Sequence, residues 1–259
     1  MATSNQTFGD FSLWQNGPQP GNIYNFPGQS TSSGNDTRQR TVQPMTTGTS
    51  VLGVKFDGGV MLAADMLGSY GSTARFRGIS RVMKVNASTV LTASGDYADF
   101  QYLKSIMEQK VIEENCLDDG FKYTPQSIFS WMTRVLYQRR SHQDPLWNTY
   151  IVGGLNDSKP FLGYIDKLGT AYEANAIASG FGQYIALPIL RELVEQKPLL
   201  TQQEAREAIV KCMRILFYRD ARSFNKFEIV TVTKDGVVIE PPQSAETNWN
   251  VAHFVKGFN

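Results

Sequence analysis

Gly48-Thr49-Ser50-Val51-Leu52-Gly53-Val54-Lys55-Phe56-Asp57-Gly58-Gly59-Val60-Met61-Leu62-Ala63-Ala64-Asp65 is the stretch on which the fold turns. It reads as two strands folded back through Asp57-Gly58, a pair suited to the positive φ angles of a tight hairpin. Both arms are apolar at nearly every position instead of alternating, which predicts a hairpin covered on both faces. The first arm begins with a hydroxyl residue behind a glycine, and the second ends on an acid. Pairing through that turn holds Thr49 and Asp65 at one end of the sheet.

Upstream, residues 1–40 are rich in Ser, Thr, Asn, Gln, Gly and Pro, contain no lysine, and carry aromatics without a sustained period. Such a segment cannot bury enough apolar surface to offset its ordering entropy, so a flexible leader is expected. It ends at Arg38-Gln39-Arg40-Thr41, where Arg40 and Thr41 mark an exposed cleavage point. Downstream, Gly68-Ser69-Tyr70-Gly71-Ser72 reads as a loop. Arg81 to Val85 alternates as a strand with one wet face, and Thr89 to Ser94 is a further strand ending at Gly95.

Asp96 opens a helix with Tyr97, Phe100, Leu103, Met107 and Val111 near a 3.6 period. Thr124-Pro125 starts a second helix, an N-cap with proline in the first position. Its stripe is Ile128, Trp131, Met132, Val135 and Leu136, and it ends at Arg139-Arg140. Strands Asn148–Leu155 and Phe161–Asp166 flank the turn Asn156-Asp157-Ser158. A third helix follows Ala178-Ser179-Gly180-Phe181-Gly182, with Pro188 either early in it or kinking it. Ser179 is placed to cap that helix. The capping box Thr201-Gln202-Gln203-Glu204 starts a fourth, running to Tyr218-Arg219-Asp220. Asp220 and Ser223 at its end are placed to satisfy local backbone groups. Strands Phe227–Thr233 and Val237–Glu240 close the order through Asp235-Gly236. Covering apolar strands on both faces predicts an α+β chain of two stacked sheets between two helical layers. One domain spans 41–240, and an extended arm, 241–259, carries Trp249, Phe254 and Phe258.

Lys plus Arg is 25 against Asp plus Glu 24, which argues against nucleic acid or an anionic membrane surface as partner. No apolar run approaches the roughly 18 residues of a spanning helix. Cys116 and Cys212 lie in helical patterns and are read as buried, reduced packing residues. With only His142 and His253 beside them, no metal and no cofactor is expected.

A threonine at a chain terminus can cleave amides, because its α-amino group, with a pKa near about 8, serves as base for its hydroxyl. The Gly48-Thr49 junction could release such a residue. The chemistry also needs a cation beside the amine, carboxylates to orient it and a backbone N–H for the oxyanion. With Gly48-Thr49, Lys55 to Val60, Ala64-Asp65, Ser94-Gly95-Asp96, Ala178-Ser179-Gly180 and Tyr218 to Ser223 in order, the chain resembles the beta subunits of the 20S proteasome over residues 41–240. That resemblance implies the four-layer αββα sandwich of N-terminal-nucleophile hydrolases. It places Thr49 on the nucleophile, Asp65 on the orienting carboxylate and Gly95 on the oxyanion hole. Ser179, Asp220 and Ser223 fall around the threonine amine.

Arg81 departs from the pattern, because active members carry a lysine there. An arginine is planar, bulkier and never deprotonated, so it does not replace a tuned lysine; Asp65 and Arg81 can instead pair as a buried or semi-buried structural ion pair. Further stretches, Thr41 to Val51, Met66 to Ser72, Tyr137 to Ser141, Asp144 to Asn148 and Glu246 to Trp249, resemble a non-catalytic member. The implied role is structural: removal of 1–40 by a neighbour, Thr49 left internal, and the vestigial set idle. The implied partners are other alpha and beta subunits in a heteroheptameric ring, the opposite ring through the C-terminal arm, and, via the complex, assembly chaperones and a regulatory particle, in cytoplasm and nucleus. An active threonine peptidase and a stand-alone amidohydrolase of the same fold are the alternatives.

Overall fold

In the computed structural model, residues 43–156, 158–250 and 252 are described. The leader 1–40 with Arg40 and Thr41, and also Phe254 and Phe258, lie outside the described residues.

The decisive hairpin forms as β2 (Val51–Phe56) and β3 (Gly59–Asp65), paired in the register Val51↔Ala64 to Phe56↔Gly59. Gly58 alone takes a positive φ, 80°, in the turn; Asp57 does not share it. Alternate residues serve two cores. Leu52, Val54, Phe56, Met61 and Ala63 face a helical layer, and Val51, Val60, Leu62 and Ala64 face a second sheet. This is why the hairpin is apolar at nearly every step instead of every other one.

The remaining strands are β1 (Thr46–Gly48), β4 (Gly68–Tyr70), β5 (Thr73–Phe76), β6 (Val82–Lys84), β7 (Thr89–Asp96), β8 (Asn148–Asn156), β9 (Lys159–Ile165), β10 (Ala171–Glu173), β11 (Ala176–Ala178), β12 (Lys226–Thr233), β13 (Gly236–Ile239) and β14 (Gln243–Ser244). One sheet has the order β10-β9-β8-β7-β1-β4-β5, with β6 also on β7. The other runs β11-β2-β3-β12-β13, with β14 on β12. Helices α1 (Tyr97–Leu117) and α2 (Pro125–Ser141) pack on the first sheet. Helices α3 (Gly182–Ile185), α4 (Leu187–Gln196) and α5 (Gln202–Arg219) cover the second, α4 and α5 packing directly on its strands. The result is the four-layer α+β sandwich.

Local signals set the helix ends. Asp96 accepts from Ala98 and Asp99 as N-cap of α1, and Thr124 accepts from Ser127 ahead of Pro125 in α2. The capping box at Thr201 and Glu204 is formed. All five residues of the expected α2 stripe are buried. The third expected helix is broken instead of continuous. α3 ends at Ile185, and Pro188 stands in the first turn of α4, where its missing N–H costs little.

Three expectations fail. The 68–72 segment is not a loop but the hairpin β4–β5, built on Gly71 with φ 56°. Arg81 does not belong to a wet face; it is 2% exposed. Cys116 is exposed, while Cys212 is buried against Ala186 and its thiol is pushed up to about 12 by desolvation.

Leu62 is fully buried between the sheets. Leu62→Ala should lower the unfolding free energy of the isolated chain by about 2–5 kcal/mol. Denaturant unfolding measures it, and a loss below about 1 kcal/mol would mean that the inter-sheet layer is loosely packed.

Candidate functional site

The candidate residues gather where the chain leaves one sheet and enters the other. β1 is an interior strand, paired to β4 through Thr46↔Tyr70 and Thr47↔Ser69 and to β7 through Thr47↔Asp96 and Gly48↔Gly95. Met45 adds a further tie, its N–H donating to Asp96 Oδ1 at 2.9 Å. After Gly48 the backbone crosses to the second sheet and resumes as β2 at Val51. Thr49 is therefore not the first residue of a hairpin arm, as its sequence suggested, but the crossing residue itself.

Arg81 sits beneath that crossing. Its Nε donates to Asp65 O at 3.0 Å, Nη1 to Thr49 O at 2.7 Å and Ala93 O at 3.0 Å, and Nη2 to Ser50 O at 3.0 Å. Nη2 also donates to the Asp65 carboxylate, forming a fully buried ion pair. A guanidinium has five N–H donors, and here each has an acceptor. Ala93 belongs to one sheet, and Asp65 to the other, so the side chain bolts the two together. Its stem lies so close to Gly48 that a Cβ there would stand 2.3 Å from Arg81 Cδ.

Asp65 Oδ2 accepts from Phe224 N at 2.9 Å. Burial pushes its carboxyl above the usual range, opposed by the Arg81 guanidinium and the Phe224 amide.

The Thr49 hydroxyl donates to Asp220 Oδ2 at 2.6 Å. Asp220 is the C-cap of α5, and its other oxygen accepts from Arg222 N at 2.9 Å. Ser223 turns its hydroxyl to the end of the same helix, toward Leu216 O at 3.0 Å and Asp220 O at 2.7 Å. Ser179 does not cap α3. Its hydroxyl accepts from Val51 N at 3.0 Å, and its own N–H donates to Val51 O at 2.9 Å. Ser50, which the sequence did not single out, accepts from Gly182 N at 2.8 Å. That partner is far along the chain, so no local pattern could have pointed to it.

Gly95 keeps φ at 94°, and a Cβ there would meet Trp147 O at 2.1 Å. A cleft of about 380 Å³ lies over Thr49, with Gly48, Gly95 and Gly180 along it and Trp147, Phe181, Lys167 and Arg222 around it. No group of three metal-ligating side chains occurs among the described residues.

In the uncut chain the arrangement holds Thr49 and gives its hydroxyl no free amine. An N-terminal threonine needs a free amine beside its hydroxyl. Here that nitrogen is in a peptide bond to Gly48, whose strand is held on both sides. The Arg81 guanidinium meets Thr49 through its carbonyl and has no donor left.

Trp249 of the C-terminal arm packs edge-on against Phe217 and Tyr218 of its own α5, at centroid distances of 5.8 and 5.0 Å. Asn248 N–H donates to Tyr218 Oη at 2.6 Å. About half of the Trp249 surface, 51%, is still exposed.

A sequence model described as proteasome subunit matches residues 45–232. Proteasome subunit beta type-4 of Xenopus laevis is 58% identical over 242 residues, covering 93% of this chain and 98% of that protein. The beta type-4 subunit of Drosophila melanogaster is 42% identical over 257 residues, with 95% and 96% covered. Proteasome subunit beta type-7 of Saccharomyces cerevisiae is 40% identical over 240 residues, with 89% and 90% covered.

Arg81→Lys should destabilise the fold by about 2–4 kcal/mol, since three donors cannot serve five buried acceptors. Arg81→Met should cost at least about 3–5 kcal/mol by stranding the Asp65 charge. Thermal unfolding reads both. The lysine variant should also remain unlabelled by a threonine-directed covalent probe; labelling would show that the arginine alone had silenced the site.

Proposed function

The chain belongs to the proteasome beta-subunit family, and from that premise we propose that it is a non-catalytic, structural beta subunit of the 20S core particle. It completes a heteroheptameric beta ring, contacts alpha and beta neighbours and helps to join the two beta rings. The whole particle hydrolyses peptide bonds of proteins delivered by the ubiquitin- and ATP-dependent route, in cytoplasm and nucleus. This subunit contributes form to that machine and not a cutting site. Assembly chaperones and the regulatory particle reach it through the complex. No described helix is long and apolar enough to cross a membrane.

One observation carries the reading: Thr49 lies inside the chain, behind a strand laddered into the middle of a sheet. Removing residues before Thr49 would strip β1 from between β4 and β7 and leave both edges unpaired. Trimming is therefore expected upstream of β1, at Arg40-Thr41, by a neighbour. The spent guanidinium of Arg81 supports the same conclusion, because self-cleavage at Gly48-Thr49 would need a cation with a proton to give. The exposed half of Trp249, together with Phe254 and Phe258, is the part of the arm assigned to inter-ring contact.

The experiment is the intact mass and N-terminal sequence of the subunit taken from assembled particles. A chain beginning at or near Thr41 is expected. One beginning at Thr49 overturns the structural reading in favour of an active threonine peptidase. Thr49→Ala supplies a second check: peptidase rates of the particle should stay within about twofold of wild type, since no transition-state contact is lost.

A further inference from the structure

The eight-stranded sheet ends in two edges, and one of them has a marked chemical bias. β5 pairs with β4 on one side, stands last in the strand order, and is exposed at all four residues. Such an edge presents unpaired backbone N–H and C=O groups. Arg75 lies over two exposed rings, its guanidinium carbon 5.9 Å from the centroid of Tyr70 and 5.6 Å from that of Phe76. Stacking between rings limits the freedom of the cation before anything binds. Arg77 follows directly, its Nε donating to Ala74 O at 3.3 Å. Arg222 reaches the hairpin tip with a 3.4 Å hydrogen bond to Ser72 Oγ. Among the described residues no carboxylate forms an ion pair with any of these three arginines.

We infer that β5 is a docking edge for an extended, acidic segment of a neighbouring subunit, added as a further strand with its carboxylates set against Arg75 and Arg77. The inference rests on the reading of this chain as an assembled subunit. Backbone pairing at an edge supplies affinity, and side chains at alternate positions supply selectivity. Like-charged edges repel, so guanidinium groups disfavour pairing with a second copy of this chain and favour a strand of opposite charge. Tyr70 and Phe76 give the contact an apolar, aromatic centre beside the cations, the mixture that anchors interfaces.

The test places a photo-crosslinking amino acid at position 73, in place of Thr73, in full-length chain assembled into particles. Irradiation should join β5 to a subunit segment bearing two or more carboxylates within a few residues. A crosslink to a segment without carboxylates, to a second copy of this chain or to a degradation substrate overturns the inference, as does absence of any crosslink. In parallel, R75E/R77E should reduce incorporation into particles about tenfold at physiological salt, whereas R75K/R77K, which keeps both charges, should lose no more than about twofold. Undiminished incorporation of R75E/R77E also overturns it. Circular dichroism of the free variants separates misfolding from lost docking, and if R75E/R77E misfolds the crosslink decides. Wild-type chain that fails to enter particles at all sinks the assembled-subunit reading, a result distinct from normal incorporation with β5 left free.

Discussion

The Arg81–Asp65 pair is the constraint on which the rest depends. Two sheets stacked face to face share an apolar layer that fixes their separation but not their lateral position, because hydrophobic contact is non-directional. Arg81 supplies the direction. It joins the β7 backbone at Ala93 to the end of β3 at Asp65 and to both carbonyls of the crossing chain at Thr49 and Ser50. A buried charge is tolerable only when paired and fully hydrogen-bonded, and this one has a carboxylate and four carbonyls. The planar fork of arginine can meet that many acceptors at once, and the single ammonium of lysine cannot.

The same pair explains why the architecture of a threonine hydrolase persists without its chemistry. Asp65, Gly95, Ser179 and Asp220 each hold a place in the hydrogen-bonding of the crossing, and Ser223 closes the helix end that carries Asp220. Asp65 neutralises Arg81, Ser179 fastens β2, and Asp220 anchors the Thr49 hydroxyl to the end of α5. Polar groups at such depth cannot be discarded once turnover is absent, since each would leave a buried partner unsatisfied. The cleft remains open above Thr49 for a similar reason. Its floor is made by strand ends and glycines that the sandwich requires, such as Gly48 and Gly95.

Burial and exposure divide the molecule sensibly for a subunit of a larger body. Both faces of the central hairpin are covered within the chain, so nothing in the core waits for a partner. Large apolar side chains stay exposed at several places: Tyr70 and Phe76 at the β5 edge, Ile112 and Leu117 on α1, Phe181 beside the cleft and Trp249 on the arm. Exposed apolar surface of this kind suits a protein whose own core is closed and whose role is to be a neighbour.

The sequence by itself determined the layered α+β architecture and most of its punctuation. The hairpin at Asp57-Gly58, the caps at Asp96, Thr124 and Thr201 and the α2 stripe were all legible, because each rests on residues a few positions apart. The order of motifs likewise disclosed the family. Tertiary structure alone decided the position of Thr49, whereas the pairing of Arg81 with Asp65 was open to the sequence and only its complete burial was not. Alternation suggested a wet face for Arg81, and only the arrival of Asp65 and Thr49 from other elements made its burial possible. β1, β4 and β5 were invisible locally. Three- and four-residue strands carry too little periodicity to register, and their pairing is set by the sheet that receives them. Ser50 and Ser179 show the limit most plainly: each hydroxyl serves a backbone N–H more than a hundred residues away. A short-range pattern cannot encode such a contact, since it exists only once the two sheets have stacked.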